Sequence, residues 1–289
     1  KTAALAFADG REPDGASDLA RLVGAAKDAV AEGLKAALPA QAAHDAARFK
    51  NIVLGSAFYT FCQRFPGAAR RLLRAGVRAA VGDAVDVDVA FNPRYGPWDQ
   101  RLCLVPDGDL FAALKSGSVR IVTDTIDRVT DAGVVVSSGD VLPADVIVTA
   151  TGLELQFLGG ATVEVDGAPI ALASTRMYMG AMLSGVPNAA FVMGYTNASW
   201  TLKCELVCGF VARVLRHLRD HGLTRATPRW TGGHEDRPAI EMSSGYFRRA
   251  VDLLPRQGTH DPWRLHQAYF TDRRLYRRHR VDDGVLELG

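Results

Sequence analysis

The sequence predicts an α/β fold with an N-terminal helical segment, on three observations. First, the run Val146-Ile147-Val148 is short, continuously apolar and β-branched. It lies between the turn signal Ser138-Gly139-Asp140 and the small residues Thr149-Ala150-Thr151-Gly152. It reads as a strand buried on both faces, in a parallel or mixed sheet covered by helices. Second, residues 118–124, 126–130 and 134–137 read as short strands, with Asp131-Ala132-Gly133 as one of the turns between them. Third, most of residues 1–90 are Ala-rich, carry helical periodicity and hold no chemical motif.

Taken in order, residues 1–18 contain Gly10, Pro13, Gly15 and several charges with little periodicity, and read as loop. Asp18 is an N-cap for a helix over residues 19–38, which Pro39 ends. A second helix is expected over 42–64, with Phe49, Val53, Phe58 and Phe61 as apolar contacts, and a third over 68–81. Residues 91–109 are irregular, with Pro93, Gly96, Pro97, Pro106 and Gly108. Loops of this length are often functional, and Arg101 sits in this one ahead of Leu102-Cys103-Leu104. A short helix follows over 109–115.

Past the strand at Val146, Gly152 marks a place where the backbone must approach something closely. In open α/β sheets that end of a strand faces the ligand crevice. Residues 162–165 and 169–172, joined through Asp166-Gly167, read as a hairpin. Residues 189–193 read as an apolar strand, followed by the turn Gly194-Tyr195-Thr196-Asn197 and a helix starting near Ala198 or Ser199. The helix stripe is Val207, Phe210, Val211, Val214 and Leu218, and Asn197 or Ser199 is its candidate cap. A strand, turn and helix start in this order make an anion-binding geometry, though the residues alone favour a plain capped helix. Residues 222–258 are polar and broken, and His234 and Glu235 read as surface.

Bulk properties narrow the function classes. The 289 residues are 48% hydrophobic and 23% charged, as in a globular protein with one large or two modest domains. Lys+Arg minus Asp+Glu is 34 − 32, a balance of +2, which does not point to nucleic acid. Arg273, Arg274, Arg277, Arg278 and Arg280 cluster near the end; they read as a solvated helix face, with contact to an anionic surface, membrane included, as the alternative. Cys62, Cys103, Cys204 and Cys208 are dispersed, which is no disulfide framework and suits a reducing cytoplasm. Cys204 and Cys208 share a helix face without further zinc ligands and read as small buried residues. The long uncharged run after Arg176 is cut by Gly180, Gly185, Pro187 and Gly194, so it reads as buried strands and turns rather than a membrane helix. The first residue is Lys1, so a processed or truncated chain is expected.

Several stretches carry a family resemblance. They are Asn92-Pro-Arg-Tyr-Gly-Pro-Trp-Asp-Gln-Arg-Leu-Cys-Leu-Val-Pro-Asp-Gly-Asp-Leu-Phe111, Val122-Thr-Asp-Thr-Ile126, Ala150-Thr-Gly152, Gly194-Tyr-Thr-Asn-Ala-Ser-Trp-Thr-Leu-Lys203 and Thr259-His-Asp-Pro-Trp-Arg-Leu265. These stretches lie between residues 92 and 265, and the likeness runs, with gaps, over nearly the whole chain. They resemble flavin-dependent monooxygenases of the Baeyer–Villiger type, closest to the bacterial branch that includes the ethionamide-activating monooxygenase. The resemblance implies parts of two Rossmann-like domains: a helical segment or insertion over 1–90, the end of an NADP-binding domain over 91–150, and the C-terminal part of an FAD-binding domain over 151–289. It implies FAD and NADPH as cofactors. Molecular oxygen would be a substrate beside a ketone or sulfide, and the oxidant would be a peroxide at flavin C4a.

The same resemblance makes Arg101 the arginine that serves this peroxide. It places Gln100, where other branches often carry Lys, together with Thr151 and Gly152 at cofactor contacts. It sets Thr196, Asn197, Ala198 and Ser199 against the flavin ring. Trp263 matches the family's C-terminal segment without an assigned role. No Gly-x-Gly-x-x-Gly follows a strand in this sequence, and the family's two such loops would lie upstream of Lys1. Three alternatives stay open: a related N- or S-oxygenating flavin monooxygenase, a pyridine-nucleotide disulfide reductase, and a truncated remnant that binds no cofactor.

Overall fold

The computed structural model describes residues 2–7, 29, 33, 39–103, 105, 107–232 and 236–289. Seven α-helices and six small antiparallel sheets lie within them, an α/β composition. The chain divides into two units, Lys1–Thr151 and Gly152–Gly289.

The first unit begins with β1 (Thr2–Phe7), where the sequence suggests only loop; residues 8–18 lie outside the described residues. Thr2–Phe7 is rich in Ala, a weak strand former, so its strand state comes from a distant partner. It pairs antiparallel with β2 (Val119–Asp124), Leu5 opposite Ile121. The helix expected over 19–38 lies outside the described residues except for Ala29 and Gly33, both helical.

Helices α1 (Ala40–Arg64) and α2 (Pro66–Val81) match the two other expected helices. Pro66 suits a first helical position, since its fixed φ fits the helix and its missing N–H has no partner there anyway. The short α3 (Val87–Ala90) is capped by the Asp86 carboxylate, which accepts from the Asp88 and Val89 amides. Helix α4 (Asp109–Ser116) stops at Gly117, in the left-handed region at φ 75°. Val81, Val87, Leu114 and Val119 form the core of this unit, with Val77, Phe91, Phe111 and Ile121 packed around them.

A meander of β3 (Ile126–Thr130), β4 (Gly133–Val136) and β5 (Val141–Leu142) follows. The strand expected at Val146-Ile147-Val148 does not form. Val146 is 78% exposed and Val148 83% exposed. A strand buried on both faces needs flanking strands to take its N–H and C=O groups and layers to cover its side chains. No strand among the described residues pairs with it, and every strand ladder is antiparallel rather than parallel.

The second unit is built on α5 (Trp200–Asp220). Its stripe of Val207, Phe210, Val214 and Leu218 is buried as the spacing predicts, and Val211 packs at the edge. Each such side chain contributes about 1.5–3 kcal/mol by leaving water. The stripe meets Tyr178, Met182, Trp263, Tyr276 and Leu286. Trp263 thus has a structural place, edge-on to Tyr178 and Trp230. Cys204 is half-buried and Cys208 exposed, correcting the expectation of two buried residues; both lie off the Val207–Phe210–Val214 stripe.

Short hairpins surround this helix. The expected one forms between β6 (Glu164–Val165) and β7 (Ala168–Pro169), with Asp166 at φ 53° and Gly167 at φ 78°, the signs a two-residue I′ turn needs. Strands β8 (Met177–Tyr178) and β9 (Met182–Leu183) make a second hairpin. Strands β10 (Ala226–Pro228) and β13 (Leu286–Leu288) pair, as do β11 (Arg237–Pro238) and β12 (Arg256–Gln257). His234 and Glu235 lie outside the described residues.

Helices α6 (Gly245–Ala250) and α7 (Tyr269–Arg278) complete the unit. The strand expected over 189–193 is another correction: the segment joins no ladder, and Phe191 N–H donates to Ala181 C=O at 2.8 Å. Its side chains are nevertheless placed, with Phe191 and Met193 packing on a second core of Met177, Leu183, Val186 and Ala239. No described helix is long and apolar enough to cross a membrane.

Candidate functional site

The turn over residues 194–199 leads into α5 and is held from behind. Gly194 is required there, because a Cβ would stand 2.2 Å from the Trp200 ring. Thr196 donates both its N–H and its hydroxyl to Gln267 Oε1, at 2.9 and 3.1 Å. Asn197 Nδ2 donates to the Gln267 carbonyl at 2.8 Å. The Thr196 amide is therefore engaged by protein, unlike the free donor that the turn geometry alone suggests.

Ser199 occupies the N-cap of α5 but does not cap it, and Asn197 does not either. The Ser199 hydroxyl pairs instead with that of Thr201 at 2.8 Å. A 21-residue helix thus begins without a side-chain cap, with its dipole directed at the turn. Thr196, Asn197 and Ala198 are half-buried, and Ser199 is exposed.

Beneath the turn lies a buried polar cluster that sequence reasoning missed. Lys203 Nζ meets Asp272 Oδ2 at 2.8 Å, and the two residues are only 4% and 1% exposed. The Tyr195 hydroxyl donates to the same oxygen at 2.6 Å. The ammonium also stands over the Tyr195 and Tyr276 rings, 5.5 and 4.9 Å from their centroids. Burial pushes the Lys203 ammonium below its ordinary pKa, against the opposing pull of Asp272. Burial, reinforced by the Asp272 charge, pushes the Tyr195 phenol well above its own. One signal was available: Lys203 stands four residues before Val207, on the apolar stripe, where a charge demands a buried partner.

In the first unit, the irregular stretch around Gln100 and Arg101 is anchored at two points. Trp98 packs edge-on to Tyr59 of α1 at 5.6 Å, and Arg70 Nη2 donates to the Tyr95 carbonyl at 2.7 Å. Gln100 is half-buried and Arg101 exposed. Thr151, at the end of this unit, is also exposed.

Gly152 opens the second unit at φ 133°, a backbone state that favours glycine. Its neighbour is Arg249 of α6, whose Nη2 donates to the Leu153 carbonyl at 3.3 Å and would lie 3.5 Å from a Cβ at position 152. Residues 196–199 therefore share one turn, while Gly152 is placed against Arg249, a neighbour that no spacing in the sequence announces.

No family model matches the chain, and no solved structure matches it. Curated proteins do. The FAD-containing monooxygenase EthA of Mycobacterium tuberculosis is 47% identical over 261 residues, covering 90% of this chain and 53% of the relative. The FAD-containing monooxygenase EthA of Mycolicibacterium smegmatis is 45% identical over 260 residues, with the same coverage of both. The chain spans about half the length of the curated relatives it matches. At this level of identity, nine-tenths of the chain is similar in sequence to about half of each of these FAD-containing monooxygenases.

Proposed function

We propose that the chain is part of an NADPH- and oxygen-dependent flavoprotein monooxygenase that inserts one oxygen into a ketone or oxidises a sulfur compound. The similarity to FAD-containing monooxygenases supports the flavin class. The single observation that carries the reading to particular residues is the uncapped start of α5 behind a turn fixed by Gln267. The arrangement suits a flavin edge: a helix start without a side-chain cap, its dipole and the nearby Ser199 and Thr201 hydroxyls match the polar, charge-accepting pyrimidine side of the ring.

When bound, FAD supplies the redox chemistry, taking electrons from NADPH and delivering them to oxygen. The work of this chain is to hold and to polarise. The 196–199 turn would orient the ring of a bound FAD and set the positive end of the α5 dipole toward it, favouring negative charge there. Arg101 places a permanently charged guanidinium where negative charge develops on the oxygen to be transferred. Gln100, Thr151 and Gly152 are the further positions of close cofactor approach. The diphosphate cradle that a Gly-x-Gly-x-x-Gly loop would form is not encoded in these 289 residues.

The test is the visible absorption spectrum of the purified chain after incubation with FAD and desalting. A retained flavin band, lost when Asn197 and Ser199 are replaced by Ala, supports the assignment. A colourless protein with an intact circular dichroism spectrum removes the flavin site from this chain.

A further inference from the structure

We infer that the buried Lys203–Asp272 pair is a positioning device, which sets the register of α7 on α5 so that Gln267 clamps the 194–199 turn. For its consequence on cofactor binding, the inference rests on the reading of that turn as flavin-facing. The lock itself is a matter of protein geometry and is testable without cofactor.

Lys203 lies in the first turns of α5, where the helix dipole disfavours a cation. Its ammonium is shut off from water and meets one carboxylate among the described residues, that of Asp272. A buried ion pair is a poor way to gain stability, since apolar residues of similar size often do as well. What such a pair does provide is intolerance of misalignment. Sliding α7 along α5 by one residue would leave a buried ammonium and a buried carboxylate apart, each at a large desolvation penalty. Tyr195, at the head of the turn, is tied to the same Asp272 oxygen at 2.6 Å.

The register of α7 also places Gln267. Asp272 belongs to the first turn of α7, and its N–H donates to the Ala268 carbonyl at 3.0 Å. Gln267 immediately precedes Ala268. Fixing Asp272 therefore fixes Gln267, which receives the Thr196 N–H, the Thr196 hydroxyl and the Asn197 amide. Lower on α7, Arg213 of α5 donates to the Tyr276 carbonyl, and the Tyr276 hydroxyl donates to the Met179 carbonyl. Gly180 makes room for the ammonium: a Cβ there would lie 3.5 Å from Lys203 Nζ and 2.9 Å from Leu265 Cδ2. Lys203 and Asp272 are buried beneath the turn and act through Gln267, while Tyr195 ties the turn to Asp272 directly; all three are positioning residues.

The test is amide hydrogen exchange on the 289-residue chain without cofactor. In Asp272→Asn the Thr196 amide should exchange about tenfold faster or more, because its acceptor is no longer held in place. The amides of residues 207–218 should keep their rates. Lys203→Met removes the ammonium and leaves Asp272 bonded to Tyr195, so it serves if Asp272→Asn does not fold; about fivefold faster Thr196 exchange is expected. In Lys203→Met/Asp272→Leu, thermal stability should return close to that of the unaltered chain, while Thr196 exchange stays fast.

Unchanged Thr196 exchange in both single variants overturns the inference. So does slow exchange in the double variant, or an acceleration shared equally by residues 207–218, either of which would make the pair a general stabiliser. FAD retention is read separately. A chain that shows the Thr196 effect but holds no FAD refutes the flavin reading and leaves the lock standing.

Discussion

The Tyr178 hydroxyl donates to Asp283 Oδ2 at 2.9 Å, across 105 residues of sequence. The same hydroxyl lies 2.8 Å from His279 Nε2, and Asp283 Oδ1 accepts the Val285 and Leu286 amides at 2.9 and 2.8 Å. One buried tyrosine of β8 thereby fastens the turn that leads into β13. Tyr178→Phe keeps the ring, which packs on Phe210 and Trp263, and removes only the hydroxyl. Unfolding in urea should show a loss of about 1.5–3 kcal/mol, the usual range for a hydrogen bond to a charged group. A change within error would mean that the packing alone holds this end of the chain.

Asp283 also sets an acid limit. Burial by itself raises its pKa, but the bonds from His279, Leu286, Val285 and Tyr178 outweigh burial and hold it below the ordinary carboxylate value. A carboxylate with a lowered folded-state pKa contributes stability that is present above its unfolded value, about 3.9, and lost as pH falls through the folded value. Stability of the second unit should therefore drop below about pH 4. Asp283→Asn should be less stable at neutral pH yet show a shallower acid loss, as read from urea midpoints across the range.

The alkaline limit has the opposite sign. Burial is the main cause that pushes the Tyr178, Tyr195 and Tyr276 phenols above their ordinary pKa, with Asp283 or Asp272 adding to it. A raised tyrosine pKa contributes stability that is complete below the unfolded value, about 10, and is lost as pH climbs past it. These three of the seven tyrosines should ionise only as the fold opens. Tyrosinate absorbance should then show a late step coincident with loss of the circular dichroism signal. A late step that survives in a chain carrying all three Tyr→Phe changes would show that other groups cause it.

What the sequence reveals follows the range of the interaction that makes each element. Helices α1, α2, α4 and α5 depend on contacts three and four residues apart, so their periodicity is written locally. The Asp166-Gly167 hairpin is legible for the same reason. Thr2–Phe7 and Val146–Ile147–Val148 mislead in opposite directions, because a strand exists only where a partner is found. Thr2–Phe7 finds Val119–Asp124, whereas Val146 finds nothing among the described residues. At the candidate site, residues 194–199 were readable as a turn before a helix. Their support was not, since Gln267 and Asp272 lie some seventy residues downstream. The charge of Lys203 on an apolar stripe announced a partner without naming it.

Gly133 is the position where one added methyl should do most damage. At φ 132°, a Cβ there would stand 2.0 Å from the Leu142 carbonyl oxygen, in the gap between β4 and β5. Neither atom is the free end of a side chain, so the backbone itself must move. Gly133→Ala should destabilise the first unit by about 3 kcal/mol or more, combining a strained φ with overpacking. Gly117→Ala is the control: φ is 75° and nothing lies within 4 Å, so only the milder left-handed strain remains. Equal losses in the two variants would show that the close approach to Leu142 does not exist.

Arg101 tests the proposed chemistry rather than the fold. It is exposed, on a stretch anchored through Trp98 and Tyr95 rather than through its own side chain, so Arg101→Ala should leave folding intact. Its proposed task is to face negative charge that develops during oxygen transfer, and no neutral side chain can do that. In an oxygenase that includes this chain, Arg101→Ala should still bind FAD and be reduced by NADPH. Product formed from a ketone should fall by about a hundredfold or more, as when a preorganised electrostatic partner is lost. Arg101→Lys retains the charge but not the planar fork and should recover part of the yield. Normal product yield from Arg101→Ala would exclude the residue from the reaction, whereas loss of FAD binding would reassign it from oxygen transfer to cofactor retention.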